Sequence, residues 1–226
     1  MRIDFIGVGF GRSGSRWLNT CISEHPKISI PELSKELEIN YFPEEYLSTG
    51  IKNYYKFFKD CDFNKVVGEL STTPIMHKNT AKILKELFPE VKIIIYQRDE
   101  DKRFLSQEKI NKQVELTNEP AERINQEEYI TPFKEHFGKN LLVFNMENPD
   151  KEGELNKLFE FLGIEKFKCP STYEKLNVGC QTCTHPKTRK LINLIKPIAR
   201  KNKKLYFFLK RKLRLDIYFQ RFNTAI

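Results

Sequence analysis

The chain has 226 residues and a mass of 26.8 kDa, which fits one domain with a sizeable core and argues against two. Hydrophobic residues make up 39% of it against 31% charged residues, a balance that excludes a disordered or low-complexity chain. The net charge of +9 indicates an anionic partner: a nucleotide, an acidic glycan, a nucleic acid or an anionic membrane surface.

Short apolar runs alternate with helical patterns along the chain. Runs rich in β-branched or aromatic residues predict buried strands at Ile3–Val8, Lys65–Val67, Val91–Tyr96 and Leu141–Phe144. Helical periodicity predicts helices at Ser15–Ser23, Asn79–Phe88, Asp101–Val114, Ala121–Phe137 and Glu152–Leu162, the last capped at Gly163. The alternation predicts a single α/β domain with a central parallel sheet flanked by helices. The loops after the first strand and after Val91–Tyr96 should then be neighbours, because ligands bind at the carboxyl ends of such strands.

The C-terminal part differs in composition. Residues 186–215 contain twelve Lys and Arg residues and no acid, which predicts a basic amphipathic helical arm at 186–226 beside a main domain at 1–185. We expect a cytoplasmic protein with peripheral membrane contact through this arm, since no apolar signal core or membrane-spanning run is visible. Five scattered cysteines favour a reducing compartment. Cys180, Cys183 and His185 leave three readings open: loop residues, a redox pair, or an incomplete metal site.

A glycine-rich turn follows the first strand and opens the next helix: Gly9-Phe10-Gly11-Arg12-Ser13-Gly14-Ser15-Arg16-Trp17-Leu18. Backbone N–H groups and the positive end of the helix dipole make such a turn an anion cradle. In the P-loop of nucleotide triphosphatases, Lys and then Ser or Thr follow the final glycine, but Ser15 and Arg16 stand there. The cation is Arg12 instead, where it could neutralise a phosphate without a metal ion.

This turn resembles the 5′-phosphosulfate-binding motif of sulfotransferases that use 3′-phosphoadenosine-5′-phosphosulfate (PAPS). The matching residues are Arg12, Ser13, Gly14, Ser15, Trp17 and Leu18, whereas Arg16 replaces a usual Thr. The resemblance covers about Ile3 to Gly163 and implies a P-loop-like α/β fold. It also implies PAPS as co-substrate, adenosine 3′,5′-bisphosphate (PAP) as product, and no metal.

The second loop, Gln97 to Ser106, supports the same resemblance. Arg98 and Ser106 match the family residues that bind the 3′-phosphate of PAPS, with the eight-residue separation intact. Arg98 would leave the end of a strand while Ser106 lies inside the next helix, so both can converge on one phosphate. Arg103 matches as well, or pairs with a nearby acid.

Two further segments resemble those of carbohydrate sulfotransferases, which implies a hydroxyl or amine acceptor on a glycan or small molecule. Lys35-Glu36 resembles the segment that carries the base, so Glu36 is predicted as general base, with Lys35 and Arg12 stabilising the transferred group. Glu38 and His77 are alternative bases. Glu69 and Ser71, in Gly68-Glu69-Leu70-Ser71, are predicted to orient the acceptor.

Two other functional classes remain open. A small-molecule kinase that uses ATP and Mg²⁺ would share the strand, glycine loop and helix, but the missing P-loop Lys argues against it. A nucleic-acid or membrane-binding module would make the basic arm the primary feature. The apolar positions of the arm are more typical of packing or membrane contact than of nucleic-acid readout, so no nucleic-acid partner is expected.

Overall fold

The computed structural model describes residues 1–36, 38–114 and 121–174. Within them, five strands form one parallel sheet in the order β2-β3-β1-β4-β5. The strands are β1 (Phe5–Gly9), β2 (Ile28–Ser29), β3 (Val66–Ser71), β4 (Lys92–Gln97) and β5 (Leu141–Asn145). The predicted α/β domain with a central parallel sheet is confirmed. Strand β2 was not predicted, because it has only two residues and no apolar run marks it.

The helices are α1 (Ser15–Glu24), α2 (Glu32–Glu36), α3 (Glu44–Thr49), α4 (Ile51–Tyr55), α5 (Thr80–Leu87), α6 (Glu100–Val114), α7 (Gln126–Phe137) and α8 (Lys151–Leu162). Four of them, α1, α5, α6 and α8, agree with the predicted helices within one residue at either end. Gly163 follows α8 with φ 83°, the left-handed cap predicted for it. The short helices α2, α3 and α4 carry too few turns to show a periodicity.

Helix α7 was predicted to begin at Ala121 and begins at Gln126. The preceding backbone is used in contacts with α6 instead. Arg103 donates to the carbonyl of Glu122 at 2.6 Å, and the N–H of Ile124 donates to Glu100 at 2.9 Å. These bonds with side chains of another helix take the place of the backbone bonds that a longer α7 would need.

Strand β3 was predicted at Lys65–Val67 and extends to Ser71. The prediction stopped short because Gly68, Glu69 and Ser71 interrupt the apolar run. Glu69 is nevertheless completely buried in the strand, where its carboxylate accepts a hydrogen bond from the Ser71 hydroxyl at 2.6 Å. The Glu69–Ser71 segment is therefore part of the sheet and not of a loop.

Alternate residues of the strands pack on opposite faces of the sheet, as the period of two requires. Ile6, Val8, Ile93 and Ile95 belong to one core cluster, together with side chains of α4, α5 and α7. Phe5, Ile94 and Tyr96 belong to the other, together with side chains of α1 and α8. Both faces are covered, so the functional groups are confined to the edge where the strands end.

At that edge, Tyr96 of β4 contacts the ends of both β1 and β3. The ring of Tyr96, in β4, lies so close to Gly9, in β1, that a Cβ there would be 2.1 Å from its Cε2 atom. The Tyr96 hydroxyl reaches the carbonyl of Ser71 at the end of β3, at 2.7 Å. The carboxyl ends of β1, β3 and β4 are thus held together, and the loops that follow them are neighbours as predicted.

Candidate active site

The loop after β1 has the backbone of an anion-binding turn. Arg12 and Gly14 both have left-handed conformations, with φ 71° and 83°. Gly14 is the N-cap of α1 and offers no side chain to cap the N–H groups of the first turn, which also contains no acidic residue. These N–H groups and the helix dipole therefore favour a negatively charged ligand.

Ser13, in the same loop, has a buried hydroxyl without a hydrogen-bond partner among the described residues. Its side chain is completely buried. A buried hydroxyl without a partner costs about 1–3 kcal/mol. A phosphate or sulfate oxygen bound by the loop would supply an acceptor for it, so the residues present fit a phosphosulfate group.

Arg12, Arg98 and Ser106 come together at this edge, although 94 residues separate the first from the last. The Nε of Arg12 donates to Ser106 Oγ at 3.3 Å, and Nη1 of Arg98 donates to the carbonyl of Arg12 at 3.1 Å. The sequence assigned Arg12 and Ser106 to opposite ends of one nucleotide. Here the two side chains are in contact, so the two predicted anion sites would be adjacent.

Glu147 is a charged neighbour to which the sequence analysis gave no role. It follows β5 and accepts from Arg98 Nε at 3.0 Å and from the ammonium of Lys102. Burial alone would raise the pKa of the Glu147 carboxyl, but the hydrogen bonds from Lys102 and Arg98 lower it below its usual value. Part of the positive charge of the site is therefore balanced within the protein.

A cavity of about 360 Å³ adjoins the first loop and Arg98. Trp17 forms one side of it and is fixed by its indole N–H, which lies 3.3 and 3.2 Å from the carbonyls of Ser171 and Thr172. The ammonium of Lys151 lies 5.6 Å from the centre of the Trp17 ring, and burial lowers the pKa of that ammonium. An aromatic side, cations and a phosphate-binding loop in one cavity suit a nucleotide.

The carboxylate of Glu38 reaches the first loop. Its Oε1 accepts from the Ser15 hydroxyl at 2.5 Å, and its Oε2 accepts from the Thr72 hydroxyl and from Asn40 Nδ2 at 3.2 Å. Glu38 thereby links the N-terminus of α1 to the segment after β3. The sequence named Glu38 only as an alternative to Glu36, because sequence position alone does not show which acid faces the loop.

Lys35 and Glu36, the predicted stabiliser and base, end helix α2. Lys35 forms an exposed ion pair with Glu32, at 2.7 Å. The side chain of Glu36 lies outside the described part of the structure. The roles assigned to both residues stay predictions.

Glu69 and Ser71, the predicted acceptor contacts, are both completely buried. Ser71 Oγ accepts from the N–H of Asn40 at 2.9 Å, which connects this pair to the Glu38 segment. Burial, followed by the nearby Glu69 carboxylate, raises the pKa of the Tyr54 hydroxyl. Glu69 and Ser71 are thus buried and linked to the Glu38 segment, and the acceptor contact predicted for them stays a prediction.

Arg16 and Arg103 complete the predicted set. Arg16 lies on the exposed side of the first turn of α1. Arg103 is buried and forms two hydrogen bonds with Glu100, at 2.7 and 2.6 Å, which is the pairing with a nearby acid that the sequence left open. Burial alone would raise the pKa of Glu100, but hydrogen bonds from Arg103, Ile124 and Gln126 lower it.

Within the described ranges, no three His, Cys, Asp or Glu side chains are grouped so that they could hold a metal ion. None of the described helices combines the length and apolar composition needed to cross a membrane. Cys180, Cys183, His185 and the basic arm lie outside the described residues.

The fold is that of the sulfotransferases. A sulfotransferase from Alicyclobacillus acidocaldarius superposes with a TM-score of 0.60 at 20% identity, over 91% of this chain and 96% of that one. The sulfotransferase domain from the curacin biosynthetic pathway gives 0.51 at 16% identity, over 80% and 81%. Mouse sulfotransferase SULT7A1, solved in complex with PAP, gives 0.50 at 15% identity, over 92% and 90%.

The sequence itself is also similar to that of a sulfotransferase. Over 107 residues the chain is 35% identical to the membrane-associated sulfotransferase kil1 of Dictyostelium discoideum. The match covers 46% of this chain and only 22% of that relative's length. No protein-family profile matches the chain. The chain is thus related to the sulfotransferases, and the resemblance drawn from its two loops is confirmed.

Proposed function

We propose that the protein transfers a sulfuryl group from PAPS to a hydroxyl or amine of an acceptor. The observation that carries the proposal is the convergence of the first loop, Arg12, Arg98 and Ser106 beside one cavity. Two adjacent anion sites next to an aromatic side chain suit a nucleotide with phosphates at both ends of its ribose.

The 5′-phosphosulfate would lie against the first loop, where Ser13 Oγ and the N–H groups at the start of α1 face it. The 3′-phosphate would lie at Arg98 and Ser106, and the adenine against Trp17. The contacts of Arg12 with Ser106 and Arg98 support a position for its guanidinium between the two proposed anion sites. A guanidinium in that position can neutralise the charge that develops on the leaving phosphate oxygen.

Transfer would proceed in line. The acceptor oxygen or nitrogen forms a bond to sulfur while the bond from sulfur to the 5′-phosphate oxygen breaks, and PAP leaves with that electron pair. The acceptor loses one proton to a carboxylate. We propose Glu38 for this role in preference to Glu36, because the Glu38 carboxylate is held at Ser15, beside the loop that would bind the phosphosulfate.

The choice between the two acids can be tested with matched variants, Glu38→Gln and Glu36→Gln. If Glu38 is the base, Glu38→Gln lowers kcat about 100-fold or more, the usual range for loss of a general base, while PAP binding is retained. Glu36→Gln should then keep nearly full activity. The reverse pattern would assign the base to Glu36, as the sequence alone predicted.

Ligand-dependent melting separates this proposal from the kinase alternative. PAP without Mg²⁺ should raise Tm, by the mass-action stabilisation expected of a ligand that binds only the folded state. Mg·ATP should give little or no shift, because Ser15 occupies the position of the P-loop Lys and its hydroxyl is bonded to Glu38. A larger shift with Mg·ATP than with PAP would favour phosphoryl transfer.

The acceptor class rests on the sequence resemblance alone. A carbohydrate is the proposed acceptor because Lys35-Glu36 and the Glu69-Ser71 segment resemble those of carbohydrate sulfotransferases. Labelled PAPS offered to a panel of glycans, phenols and tyrosine peptides tests this directly. Transfer to phenols alone would overturn the carbohydrate assignment while leaving sulfuryl transfer intact.

A further inference from the structure

Asn40 is an unusual residue at the candidate active site. Its φ of 47° is left-handed, a conformation that side chains other than glycine adopt rarely and that Asn tolerates better than most. Its side chain is buried, with 8% of its surface exposed. A buried, left-handed residue beside a candidate base suggests that its local contacts hold it there.

The hydrogen bonds of Asn40 connect it to Glu38 and to the residues at and just after the end of β3. The side-chain Oδ1 accepts from the N–H groups of Thr72 and Thr73, at 2.9 and 3.1 Å. The backbone N–H donates to Ser71 Oγ, which in turn donates to Glu69. Three hydrogen bonds therefore hold Asn40 at the end of β3 and the two residues that follow it.

The remaining group, Nδ2, donates to Oε2 of Glu38 at 3.2 Å. The Thr72 hydroxyl donates to the same oxygen. Oε2 therefore accepts both of these hydrogen bonds, while Oε1 accepts from Ser15 in the first loop. This fixes which carboxylate oxygen faces the place where sulfuryl transfer is proposed.

We infer that Asn40 is a positioning residue, which holds Glu38 so that its Oε1 faces the first loop and transmits this placement from the buried Glu69–Ser71 pair. The inference rests on the proposed function, because Glu38 matters for chemistry only if it accepts the acceptor's proton. It gives Glu69 and Ser71 a supporting role in place of the predicted contact with the acceptor.

Other titratable groups near Glu38 belong to strands β3 and β4. The Tyr96 hydroxyl is buried, and its pKa is raised first by burial and then by the charges of Glu38 and Glu69. Tyr96 donates to the Ser71 carbonyl and so remains neutral at ordinary pH. Glu69 is linked to Glu38 through the hydrogen bonds of Ser71 and Asn40.

The test is Asn40→Asp. Aspartate has nearly the same shape, tolerates the left-handed backbone, and can still accept from Thr72 and Thr73. It removes the donor to Glu38 and places a second negative charge beside it. We expect kcat to fall about 10- to 100-fold, the range for one lost hydrogen bond to a charged group, with KM for PAPS and Kd for PAP unchanged.

The pH profile gives a reading that a purely structural role would not change. A like charge disfavours the ionised form of Glu38, so the acidic limb of the kcat profile should move to higher pH in Asn40→Asp. Asn53→Asp is the matched control, because Asn53 donates to a helix carbonyl of Thr49 at 2.9 Å, away from the first loop. It should leave kcat and the profile as in the wild type.

The other outcomes are decisive as well. The inference is overturned if Asn40→Asp behaves like Asn53→Asp, or if it loses PAP binding in proportion to kcat. If the Asp variant does not fold, Asn40→Gly takes its place, because glycine adopts the left-handed backbone conformation without strain. A kcat unchanged from wild type in that variant would overturn the inference. If the wild type sulfates no acceptor, the proposed function fails separately. The carboxyl ¹³C resonance of Glu38, assigned by its loss in Glu38→Gln, would then show whether Asn40→Asp moves its titration to higher pH.

Discussion

Among single residues, Ser13 shows most directly that the first loop is built for a ligand. Its hydroxyl is buried without a partner among the described residues, while the neighbouring Ser15 hydroxyl is used by Glu38. An isolated buried hydroxyl destabilises the ligand-free protein, so its presence is most easily understood if binding satisfies it.

Ser13→Ala should therefore have effects of opposite sign on stability and on binding. Without ligand, the variant should be more stable by about 1 kcal/mol, because the unpaired hydroxyl is gone. PAP should bind about tenfold more weakly, since one hydrogen bond to a charged group is lost. Urea unfolding and calorimetric titration measure the two quantities.

Ser23→Ala is the matched control for this prediction. Ser23 is in the last turn of α1, and its hydroxyl already donates to the carbonyl of Thr20 at 2.8 Å. This variant should be slightly less stable and should bind PAP normally. A Ser13→Ala protein that is both less stable and unchanged in PAP affinity would contradict a ligand role for the hydroxyl.

At the scale of elements, the site depends on how closely β1, β3 and β4 approach one another at their carboxyl ends. Gly9 leaves the space that the Tyr96 ring fills on its way to the Ser71 carbonyl. The β3 end fixed in this way carries Thr72 and Thr73, which hold Asn40 and Glu38 in turn. Strand packing therefore determines where the candidate base lies.

Gly9→Ala should destabilise the protein, because its Cβ would lie 2.1 Å from the Tyr96 ring. We expect a loss of about 2 kcal/mol in the free energy of unfolding, within the range for overpacking. In a Tyr96→Ala background the same substitution should cost almost nothing, since the obstructing ring is absent. Denaturant unfolding of the four proteins of this double-mutant cycle measures the coupling.

Gly11→Ala serves as control for this cycle, because a Cβ at Gly11 would meet no atom within 4 Å. Its stability should stay close to that of the wild type. An equal loss in both Tyr96 backgrounds would show that Gly9 is needed for some reason other than the Tyr96 contact.

For the whole molecule, the net charge of +9 is distributed unevenly along the chain. Twelve cations and no acid occur at 186–215, outside the described residues, whereas at the site the Glu147 carboxylate offsets part of the charge of Arg98 and Lys102. We propose that residues 186–226 give the protein affinity for an anionic membrane surface.

Sedimentation with lipid vesicles tests this proposal. The full chain should co-sediment with vesicles that contain anionic lipid and not with neutral ones, because each Lys or Arg near an anionic surface contributes about 1 kcal/mol. Binding should weaken as the salt concentration rises, since screening shortens the range of the attraction. Replacing Arg200, Lys201, Lys203 and Lys204 by Gln should reduce binding while PAP affinity stays unchanged. Equal binding to neutral vesicles would contradict an electrostatic contact.

The sequence by itself determined the fold class and where along the chain the two predicted anion-binding loops occur. Strand and helix periodicity are local properties. The motif containing Arg12 to Gly14 and Arg98 closely follow predicted strand ends, and Ser106 lies in the helix predicted after Arg98. Parallel strands bring their carboxyl ends to one edge, so the meeting of these loops followed from topology.

Only the tertiary structure showed that the Glu38 carboxylate reaches the first loop and how it is held there. Glu36 and Glu38 are two residues apart in an acid-rich stretch, and nothing local distinguishes them. The polar strand end at Glu69 and Ser71 was hidden because its burial depends on partners far away in sequence. The contacts of Asn40 and Glu147 are likewise long-range, and hydrogen bonds between such distant residues leave no periodic signal in a sequence.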